Sequence, residues 1–142
     1  MPYKKEDWLE LVLGLENAQD LLLQAKELPE KKSLFMSLAV LSLWSFGEYA
    51  INVVLELNGA SPEQNHRHSD RAAALALDGS LQSDYSYRLE QLERYRLKAV
   101  HKGYSRGRSV HYSSQDVRNC LKDMLQLQTE VEALLRAQGK LT

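Results

Sequence analysis

The stretch KSLFMSLAVLSLWSFGEYAINVVLEL, Lys32 to Leu57, decides the fold class. Leu34, Phe35, Leu38, Leu41, Trp44, Tyr49, Ile51, Val54 and Leu55 put apolar side chains on most sides of a helix instead of one stripe. A helix that is greasy on several faces is one surrounded by others, so this run predicts the central helix of an all-α bundle. Pro29 closes the approach from the N-terminal side, because proline cannot continue a helix interior. Asn58-Gly59 supplies the C-terminal stop, with Pro62 shortly beyond.

Helical periodicity continues outward in both directions. Trp8, Leu9, Val12, Leu15, Leu22 and Leu23 recur at three- and four-residue steps, which predicts an amphipathic helix over about residues 7–27. After a loop at 59–69, the alanine-rich run Arg71 to Leu77 makes a short helix with Ser69 or Asp70 as its N-cap, and Asp78-Gly79 ends it. A fourth helix runs from about Ser83 to Val100 on Leu89, Leu92, Ala99 and Val100, before Gly103-Tyr104-Ser105-Arg106-Gly107 loosens the backbone. The last helix starts near Ser113, where Ser113-x-x-Asp116 forms a capping box. Its buried stripe is Val117, Leu121, Met124, Val131 and Leu135, with Gln128 intervening. Neither strand alternation nor an internal repeat is visible. The expectation is a single domain over residues 1–142, an up-and-down helical bundle of four to five helices.

The chain of 142 residues is 44% hydrophobic and 26% charged, inside the range of ordinary globular proteins, so disorder and a multi-domain layout are both disfavoured. No run approaches the ~18 uninterrupted apolar residues of a membrane span, and Met1 to Asp7 does not read as a secretory signal. Cys120, the lone cysteine, cannot form an internal disulfide. A reducing, cytoplasmic location with no membrane partner is the expectation.

The net charge of −1 hides an asymmetry. Residues 1–84 hold 7 Lys/Arg against 13 Asp/Glu, and residues 113–142 hold 4 of each. Between them, residues 85–112 hold 7 cations (Arg88, Arg94, Arg96, Lys98, Lys102, Arg106 and Arg108) against Glu90 and Glu93. Concentrating positive charge in one segment of a near-neutral protein points to an anionic partner. The segment also carries His101 and His111, and Tyr85, Tyr87, Tyr95, Tyr104 and Tyr112. Aromatic faces stack on unpaired bases while cations follow the backbone, which suits single-stranded RNA. Tyr104 and Tyr112, in the loop, are the better stacking candidates; Tyr85, Tyr87 and Tyr95 read as residues packed with their hydroxyls at the core's rim.

Within it, Leu92-Glu93-Arg94-Tyr95-Arg96-Leu97-Lys98-Ala99-Val100-His101-Lys102-Gly103-Tyr104 ends a helix in a cation cluster followed at once by histidine. Histidine can take and give protons near neutral pH, and arginine stabilises charge that develops on phosphorus. This segment resembles the HEPN family, small helical domains of prokaryotic toxins and RNA-cleaving effectors, whose signature is Arg, four to six residues, then His. Arg96 to His101 has the four-residue spacing and Arg94 to His101 the six. The resemblance implies a HEPN-like bundle and an endoribonuclease that needs no metal or other cofactor and cleaves single-stranded RNA at a dimer cleft. Arg96 and His101 would be catalytic, while Arg94, Lys98, Lys102, Tyr104, Arg106, Arg108 and Tyr112 would bind substrate. It also implies a toxin–antitoxin or other defence setting, a homodimer, and a cognate antitoxin, nucleotidyltransferase-like or other. Leu97 and the position of Tyr104 leave open a catalytically silent HEPN-like module that binds a nucleotide or protein as an adaptor. On a continuous helix Arg94 nearly eclipses His101, whereas Arg96 diverges from it by about 140°, so Arg96 meets the histidine only where the helix unwinds or across a dimer.

Asn65-His66-Arg67-His68-Ser69-Asp70 alternates His, His and Asp, but His111 and Asp116 are the only remote ligand candidates and neither has a telling spacing. The expectation there is a polar loop with a helix cap and no metal. Cys120 reads as a small packed or half-exposed residue, and Trp8 and Trp44 as core or helix-seam residues.

Overall fold

The structure is a computed structural model that describes residues 3–100 and 111–142, without the side chain of Val100. Its described residues form five α-helices and no strand: α1 (Lys5–Glu27), α2 (Lys32–Leu57), α3 (His68–Leu77), α4 (Ser86–Val100) and α5 (Ser114–Ala137). A 3-10 turn, Pro29–Lys31, joins α1 to α2.

The central role of α2 is as expected. Met36, Ala39, Val40, Leu43, Phe46, Ala50, Ile51, Val53 and Val54 are all buried, because α2 packs on α1, α4 and α5 and touches α3. By length and composition Pro29–Leu57 could also cross a bilayer; in this fold 56% of that apolar window is buried against the other helices. Gly47 lets the helices close. A Cβ there would lie 2.6 Å from Leu89 Cδ2 and 3.2 Å from Met124 Sδ, so α4 and α5 approach α2 where no side chain intervenes.

The outer helices each bury one face. Trp8, Leu15, Ala18, Leu22 and Ala25 form the inner stripe of α1, while Leu9 and Leu23, expected to join it, are exposed. Adjacent positions on a helix lie about 100° apart, and on α1 Trp8 and Leu22 take the inward direction while Leu9 and Leu23 turn away from it. The α5 stripe is buried throughout and gains Cys120 and Leu127. Trp8 Nε1 donates to Glu132 Oε2 at 3.0 Å and its ring lies 5.3 Å from Phe46, which ties α1, α2 and α5 together.

The capping box forms in full: Asp116 N donates to Ser113 Oγ at 3.1 Å and Ser113 N to Asp116 Oδ2 at 2.8 Å. Neither Ser69 nor Asp70 caps α3, which begins at His68 after Arg67, and Asp70 pairs with Arg67 at 3.3 Å instead. The start of α4 falls at Ser86, because Asp84 Oδ1 accepts the Ser86 N–H at 2.8 Å and holds the preceding residues in a turn.

Candidate functional site

The second half of α4 faces α2 across a polar seam. Trp44 and Glu48 stand one turn apart on α2, and Glu93 and Arg96 one turn apart on α4. Trp44 Nε1 donates to Glu93 Oε2 at 2.6 Å. Arg96 grips the same carboxylate through Nη2 at 2.7 Å and Nε at 3.3 Å, and its guanidinium lies 4.6 Å from the centre of the Trp44 ring. Glu93 raises the Arg96 pKa further, against the opposing effect of partial burial. The guanidinium is therefore charged and held in a fixed orientation by a carboxylate and an indole face.

The loop before α3 closes this seam. Asn52 Oδ1 accepts the Glu63 N–H at 2.8 Å, and Arg71 reaches Ser61 O at 3.3 Å and Glu63 Oε1 at 3.5 Å. These bonds clamp the loop between α2 and α3. At its tip His66 adopts φ +58°, a left-handed conformation unusual for a residue with a side chain. Its ring stands 5.6 Å from that of Trp44, and Nδ1 lies 3.1 and 3.2 Å from the Glu48 carboxylate oxygens. His68 is buried in the first turn of α3, with Nδ1 3.1 Å from Glu48 Oε2. That approach is too poorly aligned for a hydrogen bond, and neither ring nitrogen has a hydrogen-bond partner among the described residues. Burial works against ionisation of Glu48, but the His68 and His66 imidazoles outweigh it and hold its carboxyl below the usual range. A cavity of about 100 Å³ lies here, lined also by Ser69, Leu89, Glu90, Glu93 and Arg94.

The structure brings some expected site residues to this region and not others. Arg96 is at the seam and Arg94 on the cavity wall. Lys98 is half-buried, its Nζ 5.5 Å from the centre of the Tyr112 ring. Tyr112, expected to offer its ring to a base, packs at a 42° tilt against Tyr95, ring centres 4.9 Å apart, and its hydroxyl lies 3.4 Å from that of Ser37; its first commitment is to the core's edge. Tyr87, expected at the rim of the core, is 61% exposed. Of the basic segment's cations, Arg88 pairs with Asp123 and Arg96 with Glu93, so internal partners absorb part of its charge. His101, Lys102, Tyr104, Arg106 and Arg108 lie outside the described residues.

Sequence reasoning missed Glu48, Trp44 and Glu93 as members of a site, and it sought remote partners for His66 and His68 at His111 and Asp116. One signal was present: Glu48 is the only charged residue between Lys32 and Glu56, inside an otherwise apolar central helix. A second recess of about 960 Å³ lies between α1 and α5, floored by Leu22, Leu121 and Leu125 and rimmed by Lys26, Arg118 and Lys122. No family model, curated protein or solved structure matches the chain.

Proposed function

We propose that the chain is a HEPN-like endoribonuclease that cleaves single-stranded RNA without a metal, acting as a homodimer, with Arg96 and His101 as its catalytic pair. The observation that carries this reading is the setting of Arg96. Near the end of α4, in the four-residue spacing before His101, its guanidinium is locked by Glu93 and Trp44. A catalytic cation acts best when it is pre-oriented, because no reorganisation is then needed as charge builds on the phosphate. Glu93 occupies the Nε and Nη2 edge of the fork, which leaves Nη1 as the atom it does not engage. A ribose 2′-hydroxyl would lose its proton and attack the adjacent phosphate, breaking the P–O5′ bond to leave a 2′,3′-cyclic phosphate and a protonated 5′-hydroxyl, with His101 as general base or acid and Arg96 stabilising the pentavalent transition state. Arg94 on the cavity wall and the cations after Val100 would hold the strand. A toxin's role, with a cognate antitoxin as partner, follows from the same resemblance.

The bidentate Glu93–Arg96 pair also favours a second reading, a silent HEPN-like module that binds an anionic ligand or protein. A guanidinium already neutralised by a carboxylate has less to offer a phosphate.

The test is cleavage of single-stranded RNA in EDTA by wild type, Arg96→Ala and His101→Ala. The nuclease reading expects wild-type cleavage, a loss of about 10²–10³-fold in Arg96→Ala and a loss of about 10²–10⁴-fold in His101→Ala. Salt-sensitive binding without cleavage would select the module. Cleavage unchanged in both variants would overturn the assignment of the pair.

A further inference from the structure

We propose that Glu48, His66 and His68 form a binding site for one first-row divalent transition metal ion, with Zn²⁺ as the representative occupant. The proposal is independent of the nuclease reading, since it uses neither Arg96 nor His101.

Three observations converge on it. One donor atom from each residue can be chosen so that all three lie within 4.8 Å of one another. Both histidines place Nδ1 3.1 Å from the same Glu48 oxygen, Oε2. With metal–ligand bonds of about 2.0–2.2 Å, neighbouring ligand atoms stand ~3.0–3.5 Å apart in octahedral or tetrahedral geometry, so the two measured separations suit ligands sharing one ion. The third observation is His68. Its side chain is 5% exposed, and both ring nitrogens lack a hydrogen-bond partner among the described residues. A buried imidazole in that state is costly, and a native fold retains such a group where something else satisfies it.

The donor chemistry sets the ion. Two imidazoles and one carboxylate suit zinc and its first-row neighbours, whereas magnesium and calcium prefer all-oxygen sets. Three protein ligands leave a further coordination position, and the adjoining cavity of about 100 Å³ has room for water or a small ligand there. The loop carrying His66 is already clamped by Asn52 and Arg71, so the site is assembled before the ion arrives. Binding would displace any proton on the two ligating nitrogens and trade the His66–Glu48 hydrogen bonds for metal bonds.

The site lies under an indole, which provides a readout. The Trp44 ring is 5.6 Å from the His66 ring, close enough for bound Co²⁺ or Ni²⁺ to quench its emission. The experiment titrates the full-length, chelator-stripped protein with Zn²⁺, Co²⁺ and Mg²⁺, following heat and tryptophan fluorescence. The expected result is one equivalent of Zn²⁺ or Co²⁺ bound, with Mg²⁺ unable to compete. Co²⁺ quenching should be lost in Trp44→Phe, and affinity should fall at least tenfold in His66→Ala and in Glu48→Gln. His66 is largely exposed and Glu48→Gln is isosteric, so both variants should keep the wild-type far-UV circular dichroism. Stoichiometric binding that survives both substitutions, whether or not it disappears in His111→Ala, would overturn the proposal. So would the absence of stoichiometric binding to wild type.

Discussion

At the start of α4, Tyr85 donates its hydroxyl to Glu130, the Gln82 N–H reaches the same carboxylate at 2.6 Å, and Arg88 bridges Asp123 and Gln91. At the other end of the helix, Glu93 is shared by Trp44 and Arg96, and beyond it His68 lies buried beside Glu48, its ring nitrogens without a hydrogen-bond partner among the described residues. Both regions are half-buried carboxylate clusters flanking one helix. In the first, each carboxylate is matched by a donor and the network joins α4 to α5. In the second, a charged fork is held at an edge and a buried imidazole is left over. A satisfied network stabilises a fold, and an unsatisfied one marks a place where the fold accepts a cost for something it binds or does.

The comparison can be broken most decisively by activity. Arg96→Ala should lower RNA cleavage by about 10²–10³-fold, while Tyr85→Phe, at the opposite end of α4, should leave cleavage per folded molecule unchanged. Single-turnover cleavage at matched folded concentration distinguishes them. Equal losses in the two variants would mean that both clusters serve the scaffold.

Stability should order the same residues differently. Tyr85→Phe removes a charge-assisted hydrogen bond and should cost about 1.5–3 kcal/mol in urea unfolding. Removing the cap hydroxyl with Ser113→Ala should cost about 1 kcal/mol, a useful internal standard because that bond belongs to neither cluster. His68→Leu, measured without metal, should leave the unfolding free energy unchanged or raise it by up to about 1 kcal/mol, since it exchanges a polar ring with no hydrogen-bond partner among the described residues for an apolar side chain. A loss comparable to that of Tyr85→Phe would show that the imidazole has a satisfied structural role.

A further effect concerns alkaline pH. Burial pushes the Cys120 thiol from 9.0 up to about 12, so the folded state keeps its proton where the unfolded chain has released it. Its contribution to stability is complete below pH 9 and declines as pH rises from 9 towards 12, with a slope on the order of 1 kcal/mol per pH unit. Urea midpoints at pH 8 and pH 10 should therefore differ in wild type and differ less in Cys120→Ala.

Much of the scaffold was legible from residue order. Apolar side chains on most faces of Lys32–Leu57 identified the buried centre, and Ser113-x-x-Asp116 identified the start of α5, because both signals act within a few residues. The start of α3 was less legible. A polar stretch offers several cap candidates, and here Asp70 was drawn into an ion pair with Arg67. For the candidate site, Arg96 and Arg94 were identified by spacing, but their surroundings were not. Trp44 lies 49 residues from Glu93, and Glu48 lies 18 from His66, separations over which local pattern carries no information. Tyr112 illustrates the same limit, since a tyrosine in a basic loop reads as a base-stacking residue until its ring is found against Tyr95.

What the sequence by itself determined is the helical class, the central helix and the segment where positive charge gathers. Hydrophobic periodicity and charge are properties of neighbours along the chain. Only the tertiary structure decided which carboxylate meets which cation, that Glu48 faces two histidines, and that His68 is buried without a hydrogen-bond partner among the described residues. Those facts depend on how helices far apart in sequence cross, and crossing is set by packing around Gly47 and the core beneath it.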